Sequence, residues 1–280
     1  MGIIRDLKNT RNLTEREKSI CSYILEYPEK LLNMSARQLG EATYSSASAV
    51  VRLCQKLGMK GYPEFKIQYF SELKEMNPES YENIQRLSEQ DRAIDLAVKV
   101  REMQNSAIEQ TRNELQLPQL ARVNQYIKEA QYIDFYGFDV NVAIASYACN
   151  QLLHAGKIAQ TYVAYNEQEM MSLKKLDDHV AVIISHSGKN ERLVSVAKNL
   201  HRQKTRTVLL TPKTEEDLAK YCDEVLYAAG RGYLEDFGNI QFTSSVKYLL
   251  DVFFCMAFTS QYEANMQVNS VYNEIWRDIL

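Results

Sequence analysis

The sequence predicts two architectures in one chain of 280 residues: an N-terminal bundle of α-helices and, after it, a doubly wound α/β domain with a parallel sheet. Three observations favour this fold class. Short capped helical segments fill the first 75 residues, whereas from about residue 130 five β runs alternate with helical segments. The run HVAVIIS at 179–185 is apolar almost throughout, which is typical of a strand covered by helices on both faces.

Local signals mark the ends of the first two predicted helices. Thr14 and Glu17 have the spacing of a capping box, in which each side chain bonds the other residue's backbone N–H. Ser35 and Gln38 repeat that spacing before the second helix, and Pro28 ends the first because proline cannot continue a helix. These positions predict helices that begin after Thr14 and after Ser35.

The third predicted helix lies within the stretch SASAVVRLCQKLG at 46–58. Ser46 is a favourable N-cap, and Gly58 suits the left-handed conformation that often follows a helix. The apolar residues have the i, i+3, i+4, i+7 spacing of a single buried stripe. They are Val50, Leu53, Cys54 and Leu57.

The turn between the second and third helices is short, because only five residues separate Gly40 from Ser46. Two short helices joined in this way, with another packed behind them, form a candidate helix-turn-helix unit. Its exposed face is small, hydroxylated and basic, which suits close approach to a DNA major groove. The alternative is a three-helix bundle with a solvated polar face. The candidate DNA-facing residues are Ser46, Ser48, Ala49, Arg52, Gln55 and Lys56.

Charge is distributed unevenly along the chain. Residues 1–75 contain 12 Lys and Arg against 9 Asp and Glu, although the whole chain has a net charge of −3. A basic head on an acidic body is compatible with a polyanionic partner for the N-terminal part. We predict a helix-turn-helix domain over 1–75, a linker and connecting helix over 76–115, and the α/β domain over 116–280.

The loop after the apolar strand is a candidate ligand site, because ligands bind beyond the carboxyl ends of strands in open parallel sheets. It contains two hydroxyl groups, a glycine and the start of a helix, which together can cradle an anion such as a sugar phosphate. An ordinary strand-to-helix turn uses the same residue types, so both interpretations stay open. The candidate ligand-binding residues are Ser185, His186, Ser187, Gly188 and Asn190.

Motifs for other chemistries are absent from the sequence. It has no G-x-G-x-x-G after a strand, no G-x-x-x-x-G-K-[ST] and no G-x-S-x-G, so we expect no cofactor and no catalytic residue. Four histidines without metal-ligand spacing and five cysteines without a C-x-x-C pair predict no metal site and reduced thiols. No apolar run approaches the roughly 18–20 residues of a membrane span, and no signal-peptide core is present, so we expect a cytoplasmic protein without a membrane partner.

The stretch VVRLCQKLGMKGYPEFK at 50–66 resembles the signature of the RpiR family of transcriptional regulators, in which an Arg-containing recognition helix leads into LG-x-x-G-[YF]-x-x-[FL]-K. The second half resembles a SIS (sugar isomerase) domain, whose phosphosugar loop reads S-x-S-G-x-[TS]. In this loop Ser185, Ser187 and Gly188 match, and Asn190 replaces the usual hydroxyl residue. The residues that match in the first stretch are Arg52, Leu57, Gly58, Gly61, Tyr62, Phe65 and Lys66.

The resemblance implies roles for individual residues. Arg52 would contact DNA, and Ala49 stands where the family commonly has threonine. After the first strand the family usually reads G-x-G-x-S, with the serine helping to hold the ligand. This chain keeps Gly137 but has Asp139 at the second glycine and Asn141 at the serine, so these three residues join the candidate ligand-binding set. Asp139 would place a negative charge near a bound phosphate.

Together these features predict a DNA-binding transcriptional regulator of carbohydrate-metabolism genes, modulated by a phosphorylated sugar or related metabolite. Its expected partners are a double-stranded DNA operator, a phosphosugar effector and further copies of the chain, as a homodimer or homotetramer. The apolar helix YLLDVFFCMAF at 248–258 is a candidate oligomer surface. Two alternatives stay open: a sugar-phosphate isomerase or lyase-like enzyme that uses His186 or Glu191, and a regulator whose SIS domain serves only to oligomerise.

Overall fold

A computed structural model describes residues 2–9, 13–31, 34–76, 87, 89, 91–214, 216–230 and 237–277. Its internal contacts divide the chain into two compact units, Met1–Glu102 and Met103–Leu280. The predicted domain limits at 75 and 115 stay predictions, and residues 77–86, 88 and 90 of the predicted linker and connecting helix at 76–115 lie outside the described residues.

In the N-terminal unit, the described residues up to Met76 form helices and the turns between them, as the capping signals predict. Thr14 Oγ1 accepts a hydrogen bond from Glu17 N at 3.3 Å, while Glu17 Oε2 accepts one from Thr14 N at 2.8 Å. Ser35 and Gln38 form the same reciprocal pair at 3.2 and 2.9 Å, so both predicted capping boxes are confirmed. The helices are α1 Ile3–Asn9, α2 Glu15–Glu26, α3 Pro28–Leu31, α4 Ala36–Ala42, α5 Ala47–Lys56 and α6 Tyr62–Met76.

One hydrophobic cluster holds these six helices together, with Leu39 of α4, Leu53 of α5 and Phe65 of α6 at most 1% exposed. Polar ends of buried side chains are satisfied by distant backbone: Tyr69 Oη donates to Ile24 O at 3.0 Å. Burial raises the pKa of Tyr69 to about 12, so its phenol stays neutral and keeps donating. The base on which α5 lies is therefore an apolar core in which the Tyr69 hydroxyl is hydrogen-bonded.

The second unit has a five-stranded parallel sheet in the order β2-β1-β3-β4-β5, which confirms the predicted doubly wound α/β fold. The elements before and around the sheet are α7 Ala93–Glu114, α8 Leu117–Glu129, β1 Tyr132–Tyr136, α9 Val140–Leu153, β2 Ile158–Thr161, α10 Tyr165–Ser172, β3 His179–Ile184, α11 Glu191–Gln203, β4 Arg206–Thr211, a 3₁₀ turn Asp217–Tyr221, β5 Glu224–Tyr227, α12 Gly238–Ser260 and α13 Tyr262–Arg277.

The second of the five β runs predicted from the sequence is QTYVAY at 160–165, whereas the strand β2 covers Ile158–Thr161. β2 pairs only with β1, from Ile158 opposite Tyr132 to Thr161 opposite Phe135. The pairing stops there because β1 itself ends at Tyr136, and the chain then turns into α10. Register with a short neighbouring strand, rather than the apolar character of the following residues, sets the limits of this edge strand.

The two faces of the sheet bury separate hydrophobic clusters. Residues 133, 135, 180, 182 and 184 point towards α8, α9 and α12, and we call this side the α9 layer. Residues 136, 181, 183 and 209 point towards α11 and the 3₁₀ turn, on the side we call the α11 layer. β1 and β3 lie side by side, yet the helices that follow them pack on opposite faces.

The expectation that no segment reaches membrane-spanning length is wrong for α12. This helix has 23 residues, and an 18-residue stretch within it has a mean hydropathy of 1.2, so it satisfies length and composition criteria for a span. It packs within the α9 layer, where Phe242, Leu249 and Phe253 are at most 1% exposed. A core helix of a globular domain meets the same criteria, and the apolar character of α12 is explained by that packing.

Candidate functional sites

At the turn between α4 and α5, the backbone of Gly40 lies against the backbone at the start of α5 with no room for a side chain. A Cβ atom at Gly40 would lie 2.9 Å from the carbonyl carbon of Ser46, so only glycine fits there. Ser45 N donates to Gly40 O at 2.7 Å and closes the turn. Tyr44, at its apex, adopts a left-handed φ of 51° and is 95% exposed.

Both predicted ends of α5 are confirmed. Ser46 Oγ accepts a hydrogen bond from Ala49 N at 3.2 Å and caps the helix. At the other end Gly58 has a φ of 85°, and Met59 N bonds Cys54 O at 3.0 Å to satisfy a carbonyl of the last turn. These two caps fix where the helix begins and ends.

The exposed face of α5 contains five of its six predicted residues. Ser48 lies beside the cap, with its Oγ 2.9 Å from Ser46 Oγ. Ala49 is a correction: it is partly buried and packs on the hydrophobic cluster, because it lies one turn before Leu53 on the flank of the buried stripe. Leu57, predicted within that stripe, follows the last helical residue and is only partly buried. The exposed predicted residues are Ser46, Ser48, Arg52, Gln55 and Lys56.

Lys56 is tied to another helix. Its Nζ lies 3.1 Å from Glu17 Oε2, which also accepts the capping bond from Thr14 N. The hydrogen bond from the Thr14 backbone N–H lowers the pKa of Glu17 most, and the hydrogen bond from Lys56 lowers it further. Lys56 therefore positions α5 against α2 as well as contributing positive charge to the exposed face.

A cavity of about 220 Å³ opens at the carboxyl ends of β1 and β3. It brings together residues of two loops that are more than 40 positions apart, and we call it the sheet-edge pocket. Three further residues line it that the sequence did not single out: Phe138, Ile184 and Leu193. The predicted residues that line it are Asp139, Asn141, Ser185, His186, Ser187 and Asn190.

The second of these loops is built around side chains that bond backbone N–H groups. Ser185, only 2% exposed, accepts from Gly188 N at 3.2 Å, and Ser187 Oγ accepts from Lys189 N at 3.3 Å. Asn190 Oδ1 caps α11 by accepting from the N–H groups of residues 192 and 193 at 3.1 and 3.3 Å. Asn190 therefore occupies two of the N–H groups at the start of α11, and the serine hydroxyl protons remain available to donate to a ligand.

Two predicted glycines shape the pocket without lining it. Gly188 has a φ of 66°, and a Cβ there would lie 3.0 Å from Lys213 Cβ. Gly137 is buried, and a Cβ there would lie 3.1 Å from Asn141 Cβ. The Gly137 carbonyl also accepts a 2.8 Å bond from the fully buried Gln168, a support that no sequence signal indicated.

Asp139 keeps a backbone conformation that favours glycine. Its φ and ψ are 55° and −128°, and although it precedes α9 its side chain makes no capping bond. Two residues on, Asn141 Nδ2 donates to Ile184 O at 3.4 Å and links the two loops. The substitution seen in the sequence has changed the side chain at this position while the glycine-type turn is retained.

Titratable groups in the pocket are few. His186 packs against Phe242 with ring centroids 4.5 Å apart and ring planes tilted by 46°, and Asp139 supplies one carboxylate. Glu191, the second acid–base candidate, is exposed and does not belong to the lining. Among the described residues no lysine or arginine lines this cavity, and no group of three or more His, Cys, Asp or Glu side chains could hold a metal ion.

Comparisons with known proteins match both parts of the chain. The family profile "Helix-turn-helix domain, rpiR family" matches residues 1–76, and that of the SIS domain matches residues 126–246. An HTH-type transcriptional regulator of Caldanaerobacter subterraneus subsp. tengcongensis is 25% identical over 267 residues, covering 94% of this chain and 91% of the relative. The HTH-type transcriptional regulator HexR of Escherichia coli is 24% identical over 204 residues, covering 71% of this chain and 68% of HexR.

Solved structures share the fold. The Vibrio vulnificus NanR protein complexed with ManNAc-6P covers 100% of this chain and 99% of its own, with a TM-score of 0.61 and 20% identity. The sugar isomerase domain of an RpiR transcription factor from Sphaerobacter thermophilus covers 64% of this chain and 98% of its own, with a TM-score of 0.56 and 17% identity. The chain therefore contains a helix-turn-helix domain of the rpiR family over residues 1–76, followed by a SIS domain over residues 126–246.

Proposed function

We propose that this chain regulates transcription of carbohydrate-metabolism genes by binding double-stranded DNA through α5 and a phosphorylated sugar in the sheet-edge pocket. The convergence of two distant loops carries the second half of the proposal, because six residues singled out from sequence line one cavity. HexR is an HTH-type transcriptional regulator and NanR was solved with ManNAc-6P, which supports both halves.

DNA binding rests on the exposed face of α5. Arg52 projects from it and can form two parallel hydrogen bonds with a guanine edge or with a phosphate. We expect Arg52→Ala to weaken binding of a duplex, selected from a random-sequence pool by the full-length protein, by about 1–3 kcal/mol. Lys18→Ala removes an equal charge from α2 and is the matched control, since Lys18 is exposed enough to be replaced and its ion pair is with its own helix neighbour Glu15. Equal affinities of wild type and Arg52→Ala would contradict this role.

Phosphate binding rests on the hydroxyl protons of Ser185 and Ser187. Each hydrogen bond to a charged group contributes about 1.5–3 kcal/mol, so Ser185→Ala with Ser187→Ala should weaken sugar-phosphate binding by roughly a hundredfold or more. Calorimetry with a panel of hexose and pentose phosphates measures this. Ser146→Ala, on the exposed side of α9, is the control variant. Undiminished binding by the double variant would place the ligand elsewhere.

Coupling between the sites requires only that the ligand prefer one arrangement of the protein, and such coupling is typically about 1–3 kcal/mol. We propose that the chain acts without catalysing a reaction. Incubation with the same sugar phosphates, followed by product analysis, tests this, because turnover at ordinary enzyme rates would favour the isomerase or lyase alternative. A protein that turns its ligand over would still bind it in the same pocket.

We also propose that the chain works in the cytoplasm as a homodimer or homotetramer, because one short recognition helix reads few base pairs and two-fold pairing supplies a second half-site. The outer face of α12, predicted as the oligomer surface, forms an apolar groove with α8 of about 690 Å³. Leu117, 83% exposed, lines it. Leu117→Asp should lower the mass measured by light scattering, whereas Leu153→Asp, 65% exposed on α9, should leave it unchanged.

A further inference from the structure

Asp139 has a backbone conformation that is unfavourable for a residue with a side chain, and its carboxylate makes no capping hydrogen bond. Non-glycine residues avoid a φ of 55° with a ψ of −128°, and such outliers persist mainly where function requires them. Glycine would remove the strain at no cost in packing, because Asp139 is exposed at the mouth of the pocket. A role for the carboxylate would therefore explain why aspartate, and not glycine, occupies this position.

The Asp139 carboxylate has no partner among the residues that the structure describes. It makes no capping bond to α9 and takes part in no hydrogen bond or ion pair with any described side chain. The described lining of the pocket offers no lysine or arginine that could neutralise it. A cationic group on a bound ligand could therefore pair with this carboxylate.

The loop after β3 suits the opposite charge. Ser185 and Ser187 present hydroxyl donors there, beside the positive N-terminal end of α11. A phosphate alone would be attracted by this loop and repelled by Asp139. A ligand that carries both a phosphate and a cation would match both loops.

We propose that the ligand of the sheet-edge pocket is an amino-sugar phosphate, with its phosphate towards Ser185 and Ser187 and its protonated amine towards Asp139. This inference rests on the proposed phosphate-binding function and narrows it to a zwitterionic class of ligand. Asp139 then acts as a specificity-determining residue: it selects the amine and disfavours the corresponding hydroxyl compound.

Matched ligand pairs test the proposal with the full-length protein. Glucosamine 6-phosphate and glucose 6-phosphate differ by one amine in place of one hydroxyl, and galactosamine and galactose 6-phosphates form a second such pair. N-Acetylglucosamine 6-phosphate keeps the nitrogen but not its charge. We expect calorimetry to show an amino-sugar phosphate binding at least about tenfold more tightly than its hydroxyl counterpart, with a preference that shrinks as salt is added.

Asp139→Asn is the informative variant, because asparagine has nearly the same shape as aspartate and bears the same backbone strain, so that only the charge changes. It should reduce the preference to about twofold or less while the hydroxyl compound binds as well or better. Equal affinities of wild type for both members of each pair, or an unchanged preference in Asp139→Asn, would overturn the inference alone. If none of the five phosphates binds the wild-type chain, the proposed phosphate-binding function fails, and the inference fails with it.

Discussion

Tyr44 offers a direct measure of how much strain the turn before α5 carries. A left-handed φ costs a non-glycine residue about 1–2 kcal/mol, and Tyr44 has a φ of 51°. Glycine removes that cost but gives back about 0.5–1 kcal/mol through the greater freedom of the unfolded chain. Because Tyr44 is 95% exposed, its removal loses almost no packing. Tyr44→Gly should therefore stabilise the N-terminal unit by about 0.5–1 kcal/mol.

Native-state hydrogen exchange of the α4 and α5 amides measures this change in the intact chain, since it reports the free energy of opening of that unit alone. Tyr44→Ala is the control. It removes the ring but keeps a Cβ atom, so the backbone strain stays and we expect no gain in protection. Equal gains for the alanine and glycine variants, or a loss of protection in Tyr44→Gly, would show that backbone strain at this position is not what limits stability.

Other predictions follow from burial, charge and glycine geometry. Leu53→Ala should cost about 2–5 kcal/mol in thermal unfolding, and Leu57→Ala clearly less, because Leu53 is 1% exposed whereas Leu57 is only partly buried; equal losses would mean that both are core residues. Because the pKa of Glu17 is lowered in the folded protein, its ionised carboxylate stabilises the fold at pH values above the usual glutamate pKa of 4.5, and this stabilisation should be lost as the pH falls below 4.5. Glu17→Gln should therefore make stability depend less on pH on the acid side of a stability–pH profile. Gly188→Ala should destabilise more than the roughly 1–2 kcal/mol expected of Gly58→Ala, because both have positive φ but only Gly188 has neighbours within 4 Å; comparable melting shifts would contradict this reasoning.

The N-terminal unit was predictable because its signals are local. Thr14, Ser35, Ser46 and Gly58 each act within three or four residues of their own position, so the sequence contains both partners of every cap. Ala49 was predicted on the exposed face because helical spacing shows which side of a helix is buried but not how many residues on either flank are covered. Whether a residue on the flank is covered depends on which neighbouring helix packs there.

The pocket could be predicted only in outline. Parallel strands bring the loops after β1 and β3 to one edge, which is why Asp139 and Ser187 could be expected near one another. The contributions of Gln168 and Leu193 could not be foreseen, since both depend on how α10 and α11 pack. The limits of β2 were missed for the same reason: a partner strand, and not the residues of β2 itself, determines where it ends.

The position of the sheet-edge pocket between neighbouring strands has a mechanical consequence. The loop after β1 leads into the α9 layer, and the loop after β3 leads into the α11 layer on the other face of the sheet. A molecule that contacts both loops links the two layers at one end of the sheet. The first turn of either helix can then open only if its contacts with the bound molecule are lost. We therefore expect ligand binding to protect the first turns of α9 and α11 from hydrogen exchange together.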